Sequence, residues 1–364
     1  MGEKAIKIVI EIGHPAHVHQ FRNMIWALQE RGHPVEIVAT DKDIALSLLD
    51  AYGFKYAVLG QNRSGGLIPR AALISESAVT LCRIASRFKP DMFISRGSPV
   101  MGFVSRLFHK PYICILDSEG ARLEARFALL LSDVICTPSC FKKDLGRKQM
   151  RFEGYKELAY LHPNYFTPDP SVLDEVGLER SEKYVAVRFV SWQAVHDLRQ
   201  SGLDMETKRR LVTELEKHAR VFITSERALP SDLEKYRAPI APDKMHDLLY
   251  YATLLVGDSQ TMTTEAAVLG TPAVRCNSFV GPDDMGNFVE LEKKYDLIYS
   301  FRDSDQALQK ALQLLRQPDL KQQWARKRER LLADKIDVTQ FMVDFIENYP
   351  ESFRKYRMAN SNRQ

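Results

Sequence analysis

The sequence predicts an α/β protein built from two doubly wound parallel sheets. Short β-branched runs alternate with amphipathic stretches, the order that a parallel sheet covered on both faces requires. The alternation breaks near the middle of the chain and then restarts with a similar number of elements. The length of 364 residues holds two domains at roughly 150 residues each.

Strands are expected at Ile6–Ile12, Val35–Thr40, Tyr56–Leu59, Met92–Ser95, Tyr112–Leu116 and Val134–Thr137. Between them lie helical patterns at Phe21–Arg31, Ile44–Tyr52, Ser75–Phe88 and Pro99–Phe108. Pro90 and Pro111 mark helix exits, because the residue before proline is pushed out of the helix. The segment from Gly154 to Arg180 holds three prolines and loses its periodicity. It reads as a crossing between domains. The expected division is a first domain over 1–155, a linker over 156–180 and a second domain over 181–336. A helix over 337–364 is expected to pack back on the first domain. Second-domain strands are expected at Tyr184–Val190, Val221–Thr224, Thr253–Val256, Ala273–Cys276 and Leu297–Ser300, with helices at Met205–Ala219, His246–Tyr251, Thr263–Leu269, Asp305–Arg316 and Leu320–Asp334. Two such domains facing each other place a ligand cleft at the carboxyl ends of both sheets.

Composition narrows the function classes. Hydrophobic residues make up 45% and charged residues 27%, which excludes disorder and a coiled-coil rod. No run reaches the ~20 apolar residues that a membrane span needs. The opening apolar run is too short for a signal peptide, and Glu11 interrupts it. Five cysteines without a CxxC pair argue against a disulfide framework or structural zinc and point to a reducing cytoplasm. A net charge of +4 gives no nucleic-acid footprint. The basic runs Lys142–Arg151 and Lys321–Arg330 read as solvated helix faces. The first would suit the inner membrane surface if the acceptor is a lipid.

Four constellations carry polar chemistry to strand ends. The turn after the first strand holds Gly13, His14, His17 and His19. It is not GxGxxG, so no dinucleotide fingerprint is present. His17 is the candidate general base, since imidazole titrates near neutrality, while His14 and His19 either contact ligand or pack the turn. The stretch Val256–Pro272 is an apolar strand end, a polar loop and a helix from about Met262. Free amides and the dipole at that helix start suit a diphosphate. Asp258, Ser259, Gln260 and Thr261 line the loop, and Glu265 is placed to reach the hydroxyls of a ribose. Alternatively, Ser259 or Thr261 is an N-cap with Glu265 completing a capping arrangement. Arg188, inside an apolar strand, either neutralises a diphosphate or forms a structural ion pair. It is followed by Ser191, His196 and Asp197. The fourth-strand turn contributes Ser98, and the next one Asp117 and Glu119 as acid/base candidates. The segment Pro242–Leu249, including His246, is placed to read a nucleobase edge.

These residues carry a resemblance. GDSQTMTTEAAVLGTP resembles the loop and Glu-bearing helix of GT-B glycosyltransferases and of the non-hydrolysing UDP-N-acetylglucosamine 2-epimerases. The resemblance implies that Ser259, Gln260 and Thr261 contact phosphate and that Glu265 holds the ribose. GHPAHVHQF is similar to the first loop of the peptidoglycan N-acetylglucosaminyltransferase, with His17 at the matching position. Across nearly the whole chain, GHPAHVHQFRN, TPSCFKKDLGRKQMRFEGYKELAYLHPNYFTPD and VRFVSWQAVHD resemble the family catalogued as domain of unknown function 354. The epimerase pattern departs in three places. Ser98 and Ser118 stand where those enzymes carry acidic residues, and Arg188–Trp192 replaces their HRREN-like motif.

The resemblance implies a GT-B-like fold and a metal-independent glycosyltransferase. It would move a sugar from a nucleotide-sugar donor, with UDP the expected carrier, to a glycan or lipid-linked acceptor. No cofactor is expected beyond the nucleotide sugar as substrate. An epimerase or hydrolase of the same donor is the alternative, and a non-catalytic binding protein of the same shape is the third reading.

Overall fold

The computed structural model describes residues 5–41, 44–61, 67–120, 122–190, 203–225 and 228–361. The chain divides into two units, Met1–Tyr160 with Ile336–Gln364, and Leu161–Lys335. The stretch 156–180 is split accordingly: Leu158, Ala159 and Tyr160 are buried at the end of the first unit's long segment, and Val172, Leu173, Val176 and Leu178 are buried in the second unit.

The first unit runs β1 (Ile8–Ile12), α1 (Pro15–Glu30), β2 (Val35–Asp41), α2 (Ala45–Ala51), β3 (Tyr56–Gln61), α3 (Leu67–Phe88), β4 (Met92–Ser95), α4 (Pro99–Leu107), β5 (Tyr112–Ile115), α5 (Arg122–Leu131), β6 (Val134–Pro138), β7 (Gln149–Phe152) and α6 (Leu158–Leu161). Its seven strands lie in the order β3-β2-β1-β4-β5-β6-β7 and all pair in parallel. Val9, Phe93, Cys114 and Ile135 share one sheet face with Leu81, Val100, Val104 and Ala128 from α3, α4 and α5.

The second unit runs α7 (Ser171–Glu175), β8 (Tyr184–Phe189), α8 (Met205–Glu216), β9 (Arg220–Ser225), α9 (Met245–Tyr251), β10 (Leu254–Gly257), α10 (Gln260–Leu269), β11 (Ala273–Cys276), α11 (Gly286–Lys293), β12 (Ile298–Phe301), α12 (Ser304–Leu315) and α13 (Leu320–Asp334). Its five strands are also parallel, in the order β12-β11-β10-β8-β9. The chain then returns to the first unit through α14 (Val338–Glu347) and α15 (Glu351–Ser361). There the Thr339 hydroxyl and the Asn23 amide both donate to the Ala159 carbonyl, at 2.7 and 2.8 Å, and Glu347 accepts from Arg31 at 2.7 Å.

Several elements differ from the expectation. Helix α10 begins at Gln260 rather than Met262, because Ser259 caps it. The basic run Lys142–Arg151 is a loop, a short 3-10 turn and edge strand β7, not a helix face. The second basic run is helical, yet it is not simply solvated: Lys321 Nζ donates to the carbonyls of Tyr250 (2.6 Å) and Ala252 (2.9 Å). Burial pushes its amine down to about 8. No helix among the described residues is long and apolar enough to cross a membrane.

Candidate functional site

An open parallel sheet binds ligands where its strand order reverses, at the carboxyl ends of the two strands flanking that point. In the second unit those strands are β8 and β10, whose register sets Arg188 beside Gly257. The two backbones meet so closely that a β-carbon at Gly257 would collide with the Arg188 carbonyl, so only glycine fits. Asp258 follows, fully buried. Its carboxylate accepts from the Val190 amide at 2.8 Å, and its carbonyl accepts from the Asn277 side chain at 3.2 Å. Asp258 was expected to line the ligand loop. It is instead a clamp that holds the ends of β8 and β10 together, because both its polar ends are spent on protein.

Ser259 then starts α10, its hydroxyl accepting from the Met262 amide at 3.3 Å. The first amides of a helix have no partner within it. Among the described residues no group accepts from the backbone N–H of Gln260 or Thr261. Both residues are half-buried rather than covered. Two amides, the positive end of the helix dipole and the half-buried Arg188 on the adjacent strand therefore stand at the switch point. That set suits an anion. Ser191, His196 and Asp197 lie outside the described residues.

Further along α10, Glu265 is not displayed to solvent. It is 5% exposed and meets His246 of α9, itself 4% exposed, with Nε2 and Oε1 3.1 Å apart. The fold thus joins two residues that the sequence offers separately, and Phe166 packs edge-on against the imidazole. Glu265 is thus one half of a buried pair, one turn and a half below the helix start. On neighbouring β11, Arg275 is fully buried, pairs with Asp284 and lies over the Phe288 ring. Burial lowers its pKa from the usual arginine range. It was not singled out from the sequence, although a charged residue inside a β-branched strand is a signal of the same kind as Arg188.

In the first unit the strand order reverses between β1 and β4. The Gly13 amide donates to His17 Nδ1 at 3.1 Å, closing the turn. An imidazole that accepts at Nδ1 carries its hydrogen on Nε2. Neutral His17 thus presents its Nε2–H as a donor. His14 caps α1, accepting from the Ala16 amide at 3.1 Å. His19 packs against the Tyr52 and Tyr160 rings, with Arg22 at 3.4 Å. Arg96 and Lys156 both pair with Asp117, the latter at 2.6 Å. Glu119 accepts from the Lys142 amide at 3.0 Å. The charge of Asp117 is spent on two cations, and Glu119 is tied to a neighbouring loop.

Ser98 caps α4 and donates to Glu11 Oε1 at 3.0 Å. Behind it, the Ser95 and Tyr112 hydroxyls lie 2.5 Å apart. Burial raises the Glu11 carboxyl to about 7, opposed by hydrogen bonds from Ser98 and Ser95. Glu11 was read only as a break in an apolar run. That break was the available signal, since a carboxyl in a central strand needs a reason.

Comparisons with known proteins agree with this architecture. S. aureus MnaA, in a co-structure with UDP, superposes with a TM-score of 0.69 at 14% identity, covering 95% of this chain and 97% of that one. The spinosyn rhamnosyltransferase SpnG complexed with thymidine diphosphate gives 0.62 at 14% identity, covering 94% and 100%. The fold is that of GT-B glycosyltransferases and of UDP-N-acetylglucosamine 2-epimerases. An uncharacterized protein of Methanocaldococcus jannaschii is 24% identical over 287 residues, 74% of this chain and 82% of that protein. The family model described as Protein of unknown function (DUF354) matches residues 6–351, and the chain belongs to that family.

Proposed function

We propose that the chain is a glycosyltransferase using a nucleotide sugar, with its donor diphosphate held by the second unit. The observation that carries this reading is the start of α10: among the described residues no group accepts from the Gln260 and Thr261 amides, which stand at the switch point beside Arg188. Charge builds on the diphosphate as the glycosidic bond breaks, and fixed amide donors and a guanidinium are suited to stabilise it. No metal is called for in this account, because the helix start and Arg188 take its part. Glu265, positioned by His246, is assigned to the nucleoside. The first unit takes the acceptor, a glycan or a lipid-linked sugar, near the Gly13–His17 turn. The folds superposed above include proteins holding UDP and thymidine diphosphate, which supports a nucleotide as the ligand class.

An epimerase of the same donor is the second reading. It is favoured by the carboxyl of Glu11 against Ser98, which returns an acid to a strand end where the sequence shows only hydroxyls.

A thermal-shift screen across UDP, GDP, CMP, thymidine diphosphate and their sugars tests the ligand class, since a ligand that binds only the folded state raises the melting temperature. A rise with one nucleotide family supports the reading, and no rise with any at millimolar concentration contradicts it. Product from donor alone, with proton exchange at the sugar carbon in deuterated water, would select the epimerase.

A further inference from the structure

The outer surface of α3, α4 and α5 in the first unit is apolar where a solvated helix face is expected. Fourteen large apolar side chains are exposed among the described residues, and eight of them belong to these three helices. Singly exposed apolar residues are ordinary, whereas a contiguous set marks an interaction surface. Phe103 and Leu107 lie one turn apart on α4, and Leu123, Phe127 and Leu130 follow the same spacing on α5. Phe103 is 58% exposed and Leu130 70%, so packing inside the unit does not use them.

The three helices cover one face of the first sheet. A β-carbon on Gly102 of α4 would collide with the Leu131 side chain of α5, so those two helices pass close together. Arg106 of α4 joins their ends, donating to the carbonyls of Leu131 and Leu130 at 3.2 and 3.3 Å. On the other side of α4, Phe103 shares a shallow groove with Val79, Arg83 and Arg87 of α3. The exposed side chains therefore form one patch across three helices.

Charge decides what meets this patch. Arg83, Arg87 and Arg126 are exposed, and no carboxylate among the described residues pairs with them. Arg126 falls three residues after Leu123 and four before Leu130, and Arg83 falls four after Val79, so the cations share the apolar face. Among the described side chains of these helices, Glu76 is the one exposed carboxylate. A second copy meeting this face about a two-fold axis would set cations against cations. An anionic bilayer offers the complement: its phosphates meet the guanidiniums while Phe and Leu side chains enter the boundary of the acyl chains.

We propose that the outer face of α3, α4 and α5 docks the protein on an anionic phospholipid bilayer. The proposal stands apart from the nucleotide-sugar reading, and its test contains no nucleotide.

The full chain is sedimented with vesicles of phosphatidylcholine alone, or of phosphatidylcholine mixed equally with phosphatidylglycerol. The parent should pellet with the anionic vesicles, stay in solution with the neutral ones, and be released as salt screens the charges. Phe103→Ser with Leu130→Ser removes apolar anchors, and Arg83→Glu with Arg126→Glu reverses two charges. Each pair should weaken vesicle binding at least ~10-fold. Both should melt as the parent does, because all four side chains are exposed. Should the serine pair melt lower, the charge reversal, which removes no packed side chain, decides. Met358→Ser changes an exposed apolar residue of α15 and should bind vesicles as the parent does. No binding of the parent to anionic vesicles, equal binding to neutral ones, or parent-like binding by a folded variant of either pair would overturn the proposal. A parent that sediments as a dimer, with the serine pair a monomer, would overturn it in favour of a second copy on this face.

Discussion

Glu11 and Ser98 stand 87 positions apart in the chain, yet their Oε1 and Oγ atoms are 3.0 Å apart. Parallel pairing of β1 with β4 produces this contact, and it does so at the point where the strand order of the first sheet reverses. The second sheet has the matching feature at β8 and β10, where Asp258 ties the two strand ends through the Val190 amide. Among the described residues, one switch point therefore holds a carboxyl without a cation, and the other a pair of amides without acceptors.

The Glu11 carboxyl makes stability depend on pH with a definite sign. Its folded value of about 7 lies above its ordinary value of 4.5, so the folded chain binds that proton more tightly than the unfolded one. The contribution is fully present below about pH 4.5 and is lost as the pH climbs through 7, up to about 3 kcal/mol in all. Glu11→Gln cannot ionise. It should match the parent at low pH and exceed it in stability at about pH 8. Urea melts at both pH values check this, and parallel curves would contradict it.

Replacing Glu265 with Ala leaves His246 buried without its carboxylate. A buried polar group deprived of its partner costs about 1–3 kcal/mol. UDP affinity should also fall ~10-fold, about 1.4 kcal/mol. Calorimetry and a thermal melt on the same preparation separate the two effects. A dissociation constant equal to the parent's would remove Glu265 from the ligand site.

Gly257→Ala tests the close approach of β8 and β10. The added methyl meets the Arg188 carbonyl, and backbone cannot swing aside as a side chain would. Overpacking of this kind costs about 1–3 kcal/mol, read as a lower melting temperature. An unchanged melt would mean that the strands are not held as described.

Much of the fold was legible because both sheets are buried on two faces, so their strands read as short apolar runs. Met92–Ser95 and Ala273–Cys276 match their expected bounds. Edge strand β7 was not legible, since Gln149 and Arg151 alternate with Met150 and Phe152 inside a basic run. Helix α10 was expected two residues late because Ser259 could be read as loop or cap, and only its bond to the Met262 amide decides. The site was less legible than the fold. Strand ends announce polar residues but not their partners. Glu265 with His246, Asp117 with Lys156 and Glu11 with Ser98 are contacts between separate elements. Spacing along the chain carries no trace of them.

If an anionic ligand meets the amides at the start of α10, to which no described residue offers an acceptor, Gln260→Pro should weaken its binding. Proline is tolerated at the first helical position, where it removes an N–H that the helix does not use. Ser259 already holds the extended conformation that a residue before proline requires. Titration of UDP into the parent and into Gln260→Pro, with a melt to confirm equal stability, should show ~10-fold weaker binding in the variant, the loss of about one hydrogen bond to a charged group. Equal affinity in the two proteins, or no heat of binding in the parent at millimolar UDP, would contradict the account.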